Sequence, residues 1–168
     1  MRIWRVLAFY VCLAATAQNQ VETLRRQALE LSQKKQWNQA IEKYREALRL
    51  EPADPDTHYN LALALRYKGD PAAAAGEFQA ALRLKPQWSA AHYGLGAAYY
   101  ALGNKTGALA EFRSAVEQDP KNAGARYFLA VTLLERKELR EAIAELKAVL
   151  RLRPSHAEAR LTLGLAYL

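Results

Sequence analysis

Histidine is the residue type in this sequence best suited to metal binding or acid–base chemistry, and His58 and His92 stand at equivalent places in two similar segments. A zinc site needs three or four ligands that converge on one point. The only cysteine, Cys12, lies in the apolar start of the chain, and no His-x3-His pair occurs on one predicted helix. The histidines are therefore interpreted as surface or packing residues, and the sequence predicts no metal site and no cofactor.

A second motif could bind a ligand. The segment Gly103-Asn104-Lys105-Thr106 resembles the end of a phosphate-binding loop. It lacks the Gly-x4-Gly-Lys-[Ser/Thr] spacing of such loops and follows no predicted strand, so it is interpreted as a turn between two helices. The sequence pattern does not indicate a nucleophile together with a base and a group that orients the base, as a catalytic site would need. We expect a protein that is not an enzyme and that has no small-molecule substrate.

The charge pattern is relevant to the class of partner. The 168-residue chain has a formal net charge of +7. Its basic and acidic side chains are interspersed along predicted helix faces, as in Glu42-Lys43 and Arg140-Glu141. A nucleic-acid-binding protein more often concentrates positive charge on one face or in one tail. The charge is interpreted as a solvated surface, and no nucleic-acid partner is expected.

The elements that must position these side chains repeat along the chain. Proline recurs at one constant interval, at Pro52, Pro86, Pro120 and Pro154. Alanine recurs at the same interval, at Ala40, Ala74, Ala108 and Ala142. Apolar residues between these positions recur at three- and four-residue steps, which predicts two amphipathic helices in each unit. Small residues allow two helix axes to approach to about 8 Å, so the alanine column is predicted to be a helix–helix contact.

The turns between the predicted helices have the expected residue types. Lys68-Gly69-Asp70-Pro71 separates the two helices of one unit, and Gly103-Asn104 separates those of the next. Asp70 is predicted to cap the second helix, with Pro71 at its first position. The repeating proline is predicted to end each second helix and to turn the chain into the next unit.

This pattern resembles the tetratricopeptide repeat (TPR), a 34-residue helix–turn–helix with the motif W-x2-L-G-x2-Y…A-x3-F…P. One unit carries it as Leu95-Gly96-x2-Tyr99, Ala108-x3-Phe112 and Pro120. The tryptophan of the motif is replaced by a basic residue or histidine in this chain, at His58, His92, Arg126 and Arg160. The resemblance implies an all-α fold, a right-handed α-solenoid of tandem helix–turn–helix repeats. Its predicted repeats are 21–54, 55–88, 89–122 and 123–156, and 157–168 is the first helix of a partial fifth repeat or a terminal cap.

The family resemblance also implies a concave groove, lined by the first helix of each repeat, in which a protein or peptide segment binds. Carried over position by position, the groove residues are Tyr59, Leu63, Arg66, Tyr67, Tyr93, Ala97, Tyr100, Tyr127, Val131 and Leu134. Three of these tyrosines, Tyr59, Tyr93 and Tyr127, occupy the same position in successive repeats and are predicted to stack as a ladder of rings. Tyrosine combines a large contact area with a hydroxyl group, which suits peptide recognition. The alternative is a tyrosine ladder that serves only the scaffold.

One specialisation of the family does not match this sequence. Co-chaperone TPR domains hold the terminal carboxylate of heat-shock chaperones with basic and asparagine side chains from successive first helices. Arg25 and Asn60 fit two of these places, but Leu29, Ala90 and Gly94 stand where the others are required. A carboxylate clamp of this type is not expected.

The first seventeen residues differ from the repeats. Arg2 and Arg5 form a basic start, Val6 to Ala15 is an apolar run, and Ala15-Thr16-Ala17 has the small residues of a cleavage site. These are the three parts of a secretory signal peptide. We expect residues 1–17 to be removed after Ala17 and the protein to be secreted or periplasmic. The alternative is a membrane anchor formed by an uncleaved signal.

The last residues, 157–168, carry many apolar side chains, among them Leu161, Leu165 and Tyr167. Terminal repeats normally have a polar outer face, so some self-association through the C-terminal helix is expected. The sequence as a whole predicts a non-catalytic protein–protein interaction scaffold whose groove binds a protein or peptide partner. The alternative is the TPR portion of a larger envelope enzyme or assembly factor.

Overall fold

The computed structural model describes the backbone of residues 2–167 and the side chains of residues 18–167. The side chains of the predicted signal peptide, 1–17, therefore lie outside the described residues. The described part of the chain contains helices and no strand, which confirms the all-α prediction. The helices are α1 (Arg2–Gln33), α2 (Trp37–Leu50), α3 (Pro55–Lys68), α4 (Pro71–Leu84), α5 (Ser89–Ala101), α6 (Lys105–Gln118), α7 (Ala123–Glu135), α8 (Leu139–Leu152) and α9 (Ala157–Leu165).

Each helix packs mainly on the helix before it and the helix after it, so the hairpins stack in chain order as a solenoid. The predicted alanine column forms the contact inside each hairpin, and all four of its members are completely buried: Ala40, Ala74, Ala108 and Ala142. The ring or leucine four residues later is also buried in each repeat, at Tyr44, Phe78, Phe112 and Leu146. The core therefore lies between the two helix layers, with small residues beside large ones in each hairpin.

The turns confirm the local predictions. Asp70 accepts a hydrogen bond from the Ala73 amide at 3.0 Å, and Pro71 is the first residue of α4. Asn104 caps α6 in the same way, through the Gly107 amide at 3.0 Å. Gly69 and Gly103 have φ angles of 92° and 76°, a left-handed conformation that glycine adopts without steric cost. These caps satisfy amide groups that a helix leaves unpaired at its start.

The first helix differs from the others in length. Helix α1 has 32 residues and runs without a break through the predicted cleavage point between Ala17 and Gln18. Its second half, from Val21 onward, packs as the first helix of the first repeat, with Val21, Leu24 and Ala28 buried. Within the part of the chain that the structure describes, none of the helices combines the length and apolar character needed to cross a membrane.

Candidate binding groove

The first helices of the repeats form the inner row of the stack. Helix α3 touches α1 and α5 in addition to its own hairpin partner α4. Elements on the inside of a curved stack approach one another most closely, so these contacts place α1, α3 and α5 on its inner side. The ten predicted groove residues lie on first helices: Tyr59, Leu63, Arg66 and Tyr67 on α3, Tyr93, Ala97 and Tyr100 on α5, and Tyr127, Val131 and Leu134 on α7. All ten keep surface accessible to solvent, and Tyr67 is 60% exposed.

A depression lies between α1 and α3. A cavity of about 770 Å³ has charged side chains on its walls, among them Glu22, Arg25 and Asp54. A smaller, more apolar cavity of about 230 Å³ is lined in part by Trp37 and by two of the predicted groove residues, Leu63 and Tyr67. The two cavities share Leu29, Tyr44 and Asn60. They therefore form one depression that changes from charged to apolar along its length.

Arg25, at the charged end, is neutralised by neighbouring side chains. One of its terminal nitrogens, Nη2, lies 2.7 Å from Glu51 Oε2 and 2.9 Å from Asp54 Oδ2. Its Nε donates to the hydroxyl of Thr57 at 2.8 Å. These bonds connect α1 to the start of α3. Because its donors are used within the protein, Arg25 is poorly placed to hold a ligand carboxylate.

Arg66, in the middle of the groove, is not neutralised by neighbouring side chains. Its guanidinium lies 5.0 Å from the centre of the Tyr67 ring, a cation–π distance. Among the residues whose side chains are described, no carboxylate lies within ion-pair distance of Arg66, and its buried Nε has no hydrogen-bond partner. Burial raises the pKa of the Tyr59 and Tyr93 hydroxyls, and the positive charge of Arg66 partly opposes both rises. The centre of the groove thus carries an uncompensated positive charge flanked by neutral phenols.

The predicted direct stacking of three tyrosines is wrong. The rings pack on aromatic residues outside the predicted ladder: Tyr59 on Trp88, with 4.5 Å between ring centres, and both Tyr93 and Tyr127 on Phe128, at 5.9 and 5.6 Å. Phe128 therefore lies between Tyr93 and Tyr127, with its ring against both. Phe128 was not predicted because the equivalent positions, Asn60 and Gly94, give no repeating signal.

These rings form an aromatic cluster on α5 and α7, defined by Tyr93, Tyr100, Tyr127 and Phe128. Its outer edge is polar, since the Tyr100 hydroxyl donates to Glu135. The Glu135 carboxylate raises the pKa of Tyr100 to about 12. Hydrogen bonds from Lys105, at 2.8 Å, and from Tyr100 lower the pKa of Glu135. Glu135 therefore stays ionised and paired, and it leaves the positive charge of Arg66 unopposed.

His58 and His92 join the two helices of their repeats. His58 Nδ1 lies 2.6 Å from Glu77 on α4, and its Nε2 lies 3.0 Å from the Pro52 carbonyl oxygen. His92 repeats both contacts with Glu111 and Pro86, at 2.7 and 3.0 Å. The packing interpretation is thereby confirmed for both residues. The signal that sequence reasoning missed is a glutamate at the same separation after each of them, on the second helix of the same repeat.

The same bridge recurs in the next repeat with arginine in place of histidine. Arg126 donates to Glu145 at 2.6 Å and to the Pro120 carbonyl at 2.7 Å. Each bridge ties a first helix to its second helix and to the preceding turn. At His58, His92 and Arg126, the residue that replaces the motif tryptophan is therefore a hydrogen-bonding connector whose glutamate partner lies on the second helix.

The hairpins, their common packing core and the open inner face define a helical repeat protein. Three sequence models, described as tetratricopeptide repeat or TPR repeat, match residues 28–69, 59–123 and 106–164 and together reach from residue 28 to residue 164. The chain belongs to the tetratricopeptide repeat family. No curated protein sequence matches it.

Solved structures support the same fold. A MamA structure from Desulfovibrio magneticus RS-1 is 24% identical, with 88% of this chain and 83% of that chain covered and a TM-score of 0.83. YrrB, described as a TPR protein with an unusual peptide-binding site, is 26% identical over 86% of this chain and 74% of its own, with a TM-score of 0.78. The first TPR of Spaghetti (RPAP3), bound to an HSP90 peptide, is 21% identical over 71% and 94% of the two chains, with a TM-score of 0.69.

Proposed function

We propose that this protein is a non-catalytic interaction scaffold that binds a protein or peptide segment in the concave groove of its TPR array. The observation that carries the proposal is the uncompensated Arg66 beside partly exposed aromatic rings in the centre of the groove. Two similar structures are described as having a peptide-binding site or a bound peptide, which agrees with such a role. The groove residues are those predicted from the sequence, extended by Trp88 and Phe128.

The chemistry of the groove favours a ligand that is both acidic and apolar. A carboxylate can pair with the accessible part of the Arg66 guanidinium through a charge-assisted hydrogen bond, which is stronger than a neutral one. The aromatic cluster beyond it offers apolar area and phenol hydroxyls at low entropic cost. We infer that the bound segment places an acidic group over α3 and apolar side chains over α5 and α7.

The first test removes two rings from the aromatic cluster. The double variant Tyr93→Ala/Tyr127→Ala is expected to lose most of the partner proteins that the full chain captures from an extract of the source cells. Tyrosine is enriched among the interface residues whose truncation costs about 2 kcal/mol or more in binding free energy. Quantitative mass spectrometry of the captured proteins makes the measurement, and circular dichroism reports the helix content.

A charge reversal at Arg66 tests the same groove without replacing a ring that packs on the core. Arg66→Glu is expected to reduce capture of the same proteins, whereas Arg83→Glu, the same change on α4, outside the groove, is expected to leave it unaltered. Equal capture by the wild-type chain, the folded tyrosine variant and Arg66→Glu would rule out the groove as the binding site.

We also infer that the protein is exported and is cut after Ala17. The basic residues, the apolar run and the small residues of positions 1–17 support this inference. N-terminal sequencing of the protein purified from the cell envelope or the medium is expected to begin at Gln18. A product that retains Met1 and sediments with membranes would instead establish the uncleaved anchor.

A further inference from the structure

Each gap between neighbouring first helices contains an equivalent site on the side of the groove, and the chain lines these gap sites differently. One repeat position supplies Ser32 on α1, Arg66 on α3 and Tyr100 on α5. Its chemistry changes from a small hydroxyl group to a guanidinium and then to a phenol. The first, second and third gap sites therefore offer three different surfaces at one regular interval.

The first gap site, between α1 and α3, is an apolar pocket. It is the cavity of about 230 Å³ described above, and its exposed edges are Leu29 and Tyr67. Tyr44, which is buried, also lines it, and the Ser32 hydroxyl donates to the Ala28 carbonyl at 2.9 Å. Among the described side chains that line the pocket, none carries a charge. Sites for whole small molecules usually have about 300–1,000 Å³, so this pocket suits one apolar side chain.

The second gap site, between α3 and α5, is positively charged. Arg66 stands here in place of Ser32, with its guanidinium 5.0 Å from the centre of the Tyr67 ring. Its charge opposes the rise in the pKa of both the Tyr59 and the Tyr93 hydroxyl, so it lies near residues of α3 and of α5. Arg66 is partly exposed and, among the described side chains, has no carboxylate partner. This site suits an acidic side chain.

The third gap site, between α5 and α7, is aromatic. The ring centres of Tyr100 and Phe128 lie 6.2 Å apart, and both residues are partly exposed. Phe128 stands at the repeat position of Asn60, which lines the first gap site. The Tyr100 hydroxyl already donates to Glu135. Ring surface is what this site offers a ligand, and it suits an apolar or aromatic side chain.

The interval between the gap sites matches an extended peptide. Packed helices lie about 8–10 Å apart, so neighbouring gap sites are separated by about the same distance. A peptide in the polyproline II conformation has three residues per turn and advances about 3.1 Å per residue. Every third side chain therefore points the same way, with about 9 Å between them. Such a segment can place one side chain in each gap site.

We propose that the groove recognises an extended peptide segment with the pattern apolar-x2-[Asp/Glu]-x2-apolar. Its acidic side chain pairs with Arg66, one apolar side chain enters the pocket beside Ser32, and the other packs on Tyr100 and Phe128. This inference rests on the proposed function and adds the sequence pattern of the partner. A positive centre between two apolar surfaces favours a ligand that neutralises the first and covers the others.

A symmetric peptide tests the pattern. The sequence Leu-Ser-Thr-Glu-Thr-Ser-Leu presents its side chains in the same order in both chain directions, and blocked ends remove the terminal charges. Added to the full chain, it is expected to bind saturably with a Kd below about 1 mM, measured from amide NMR shifts of the isotope-labelled protein. Leu-Ser-Glu-Ser-Leu is expected to bind at least about fivefold more weakly, because its side chains cannot reach all three gap sites.

Charge exchange assigns the central position to Arg66. Arg66→Glu is expected to weaken the symmetric peptide at least about tenfold, because a bond between charged groups is lost and two like charges oppose each other. The same peptide with lysine at its centre is expected to bind Arg66→Glu better than the wild-type protein. Arg83→Glu, on α4 outside the groove, is the matched control and is expected to bind like the wild type.

A further variant moves the arginine by one repeat. Ser32→Arg copies the residue of the second gap site into the first, and it is expected to weaken the symmetric peptide at least about fivefold by filling the apolar pocket. One of the two peptides in which a single terminal leucine is replaced by glutamate is expected to bind Ser32→Arg better than the wild type. Which of the two gains affinity gives the chain direction of the ligand. A purely structural role of Ser32 would weaken all peptides alike.

The outcomes separate this pattern from the proposed function. The pattern is overturned if the wild-type protein does not bind the symmetric peptide up to about 1 mM, the weak end of specific affinities. It is also overturned if binding depends neither on the spacing nor on Ser32→Arg. In both cases the proposed function stands as long as Arg66→Glu still removes the proteins captured from the extract. Capture that none of the groove variants alters would overturn both.

Discussion

Replacing Gly96 by leucine is expected to abolish cooperative folding of the central repeats. A single Cβ at this position would lie 2.7 Å from Cδ1 and Cε1 of Phe112, whose ring is completely buried. The ring cannot move away, because Tyr93 and Phe128 pack against it. Overpacking of this kind usually costs about 1–3 kcal/mol, and leucine adds four carbons where one does not fit, so we expect several kcal/mol. That is a large share of the roughly 5–15 kcal/mol that stabilises a typical domain.

Urea unfolding followed by circular dichroism measures the effect, and Gly76→Leu is the matched control. Gly76 is also a helical glycine, on α4, but it is exposed and a Cβ there meets nothing within 4 Å. Leucine at Gly76 is expected to stabilise the helix by about 0.5–1 kcal/mol, because glycine is the poorer helix former. Unchanged stability of Gly96→Leu would contradict the packing of α5 on α6.

The fold could be predicted from the sequence because every hairpin packs with the same kinds of residue at the same positions. A close helix pair needs a small residue opposite a large one, and the buried alanine column with Tyr44, Phe78, Phe112 and Leu146 recurs once in every repeat. Prolines and capping residues mark the helix ends in the same register. Periodic sequence features therefore determine which helices pair and where they stop.

The candidate site could be predicted only in part, because its decisive features are not periodic. Phe128 joins Tyr93 to Tyr127 only in one repeat, and Arg25 and Arg66 differ in their neighbours although both lie on the inner face. Whether an arginine is neutralised depends on side chains from adjacent helices, which residue type alone does not determine. The glutamate bridges did repeat, and comparison of the two helices of each unit could have found them.

Phe112→Ala is expected to destabilise the protein by about 3–5 kcal/mol, the usual cost of removing a buried phenylalanine and leaving a cavity. Phe112 is completely buried where α5, α6 and α7 meet, with its ring centre 5.7 Å from that of Phe128 and 6.1 Å from that of Tyr93. Its loss also removes the support beneath the aromatic cluster. Denaturant midpoints measure the stability, and an effect below about 1 kcal/mol would contradict this arrangement.

A double-mutant cycle shows whether Phe112 and Gly96 act as one complementary pair. The fourth repeat uses a different pair at the same two places, Ala130 with Leu146, and both of these residues are also completely buried. Gly96→Ala should therefore cost clearly less in the Phe112→Leu background than in the wild type, since the double variant reproduces the pair of the fourth repeat. Coupling of about 0.5–3 kcal/mol is typical of residues in direct contact. Strict additivity of the two changes would mean that the ring and the glycine are independent, and the close approach of α5 and α6 would then need another cause.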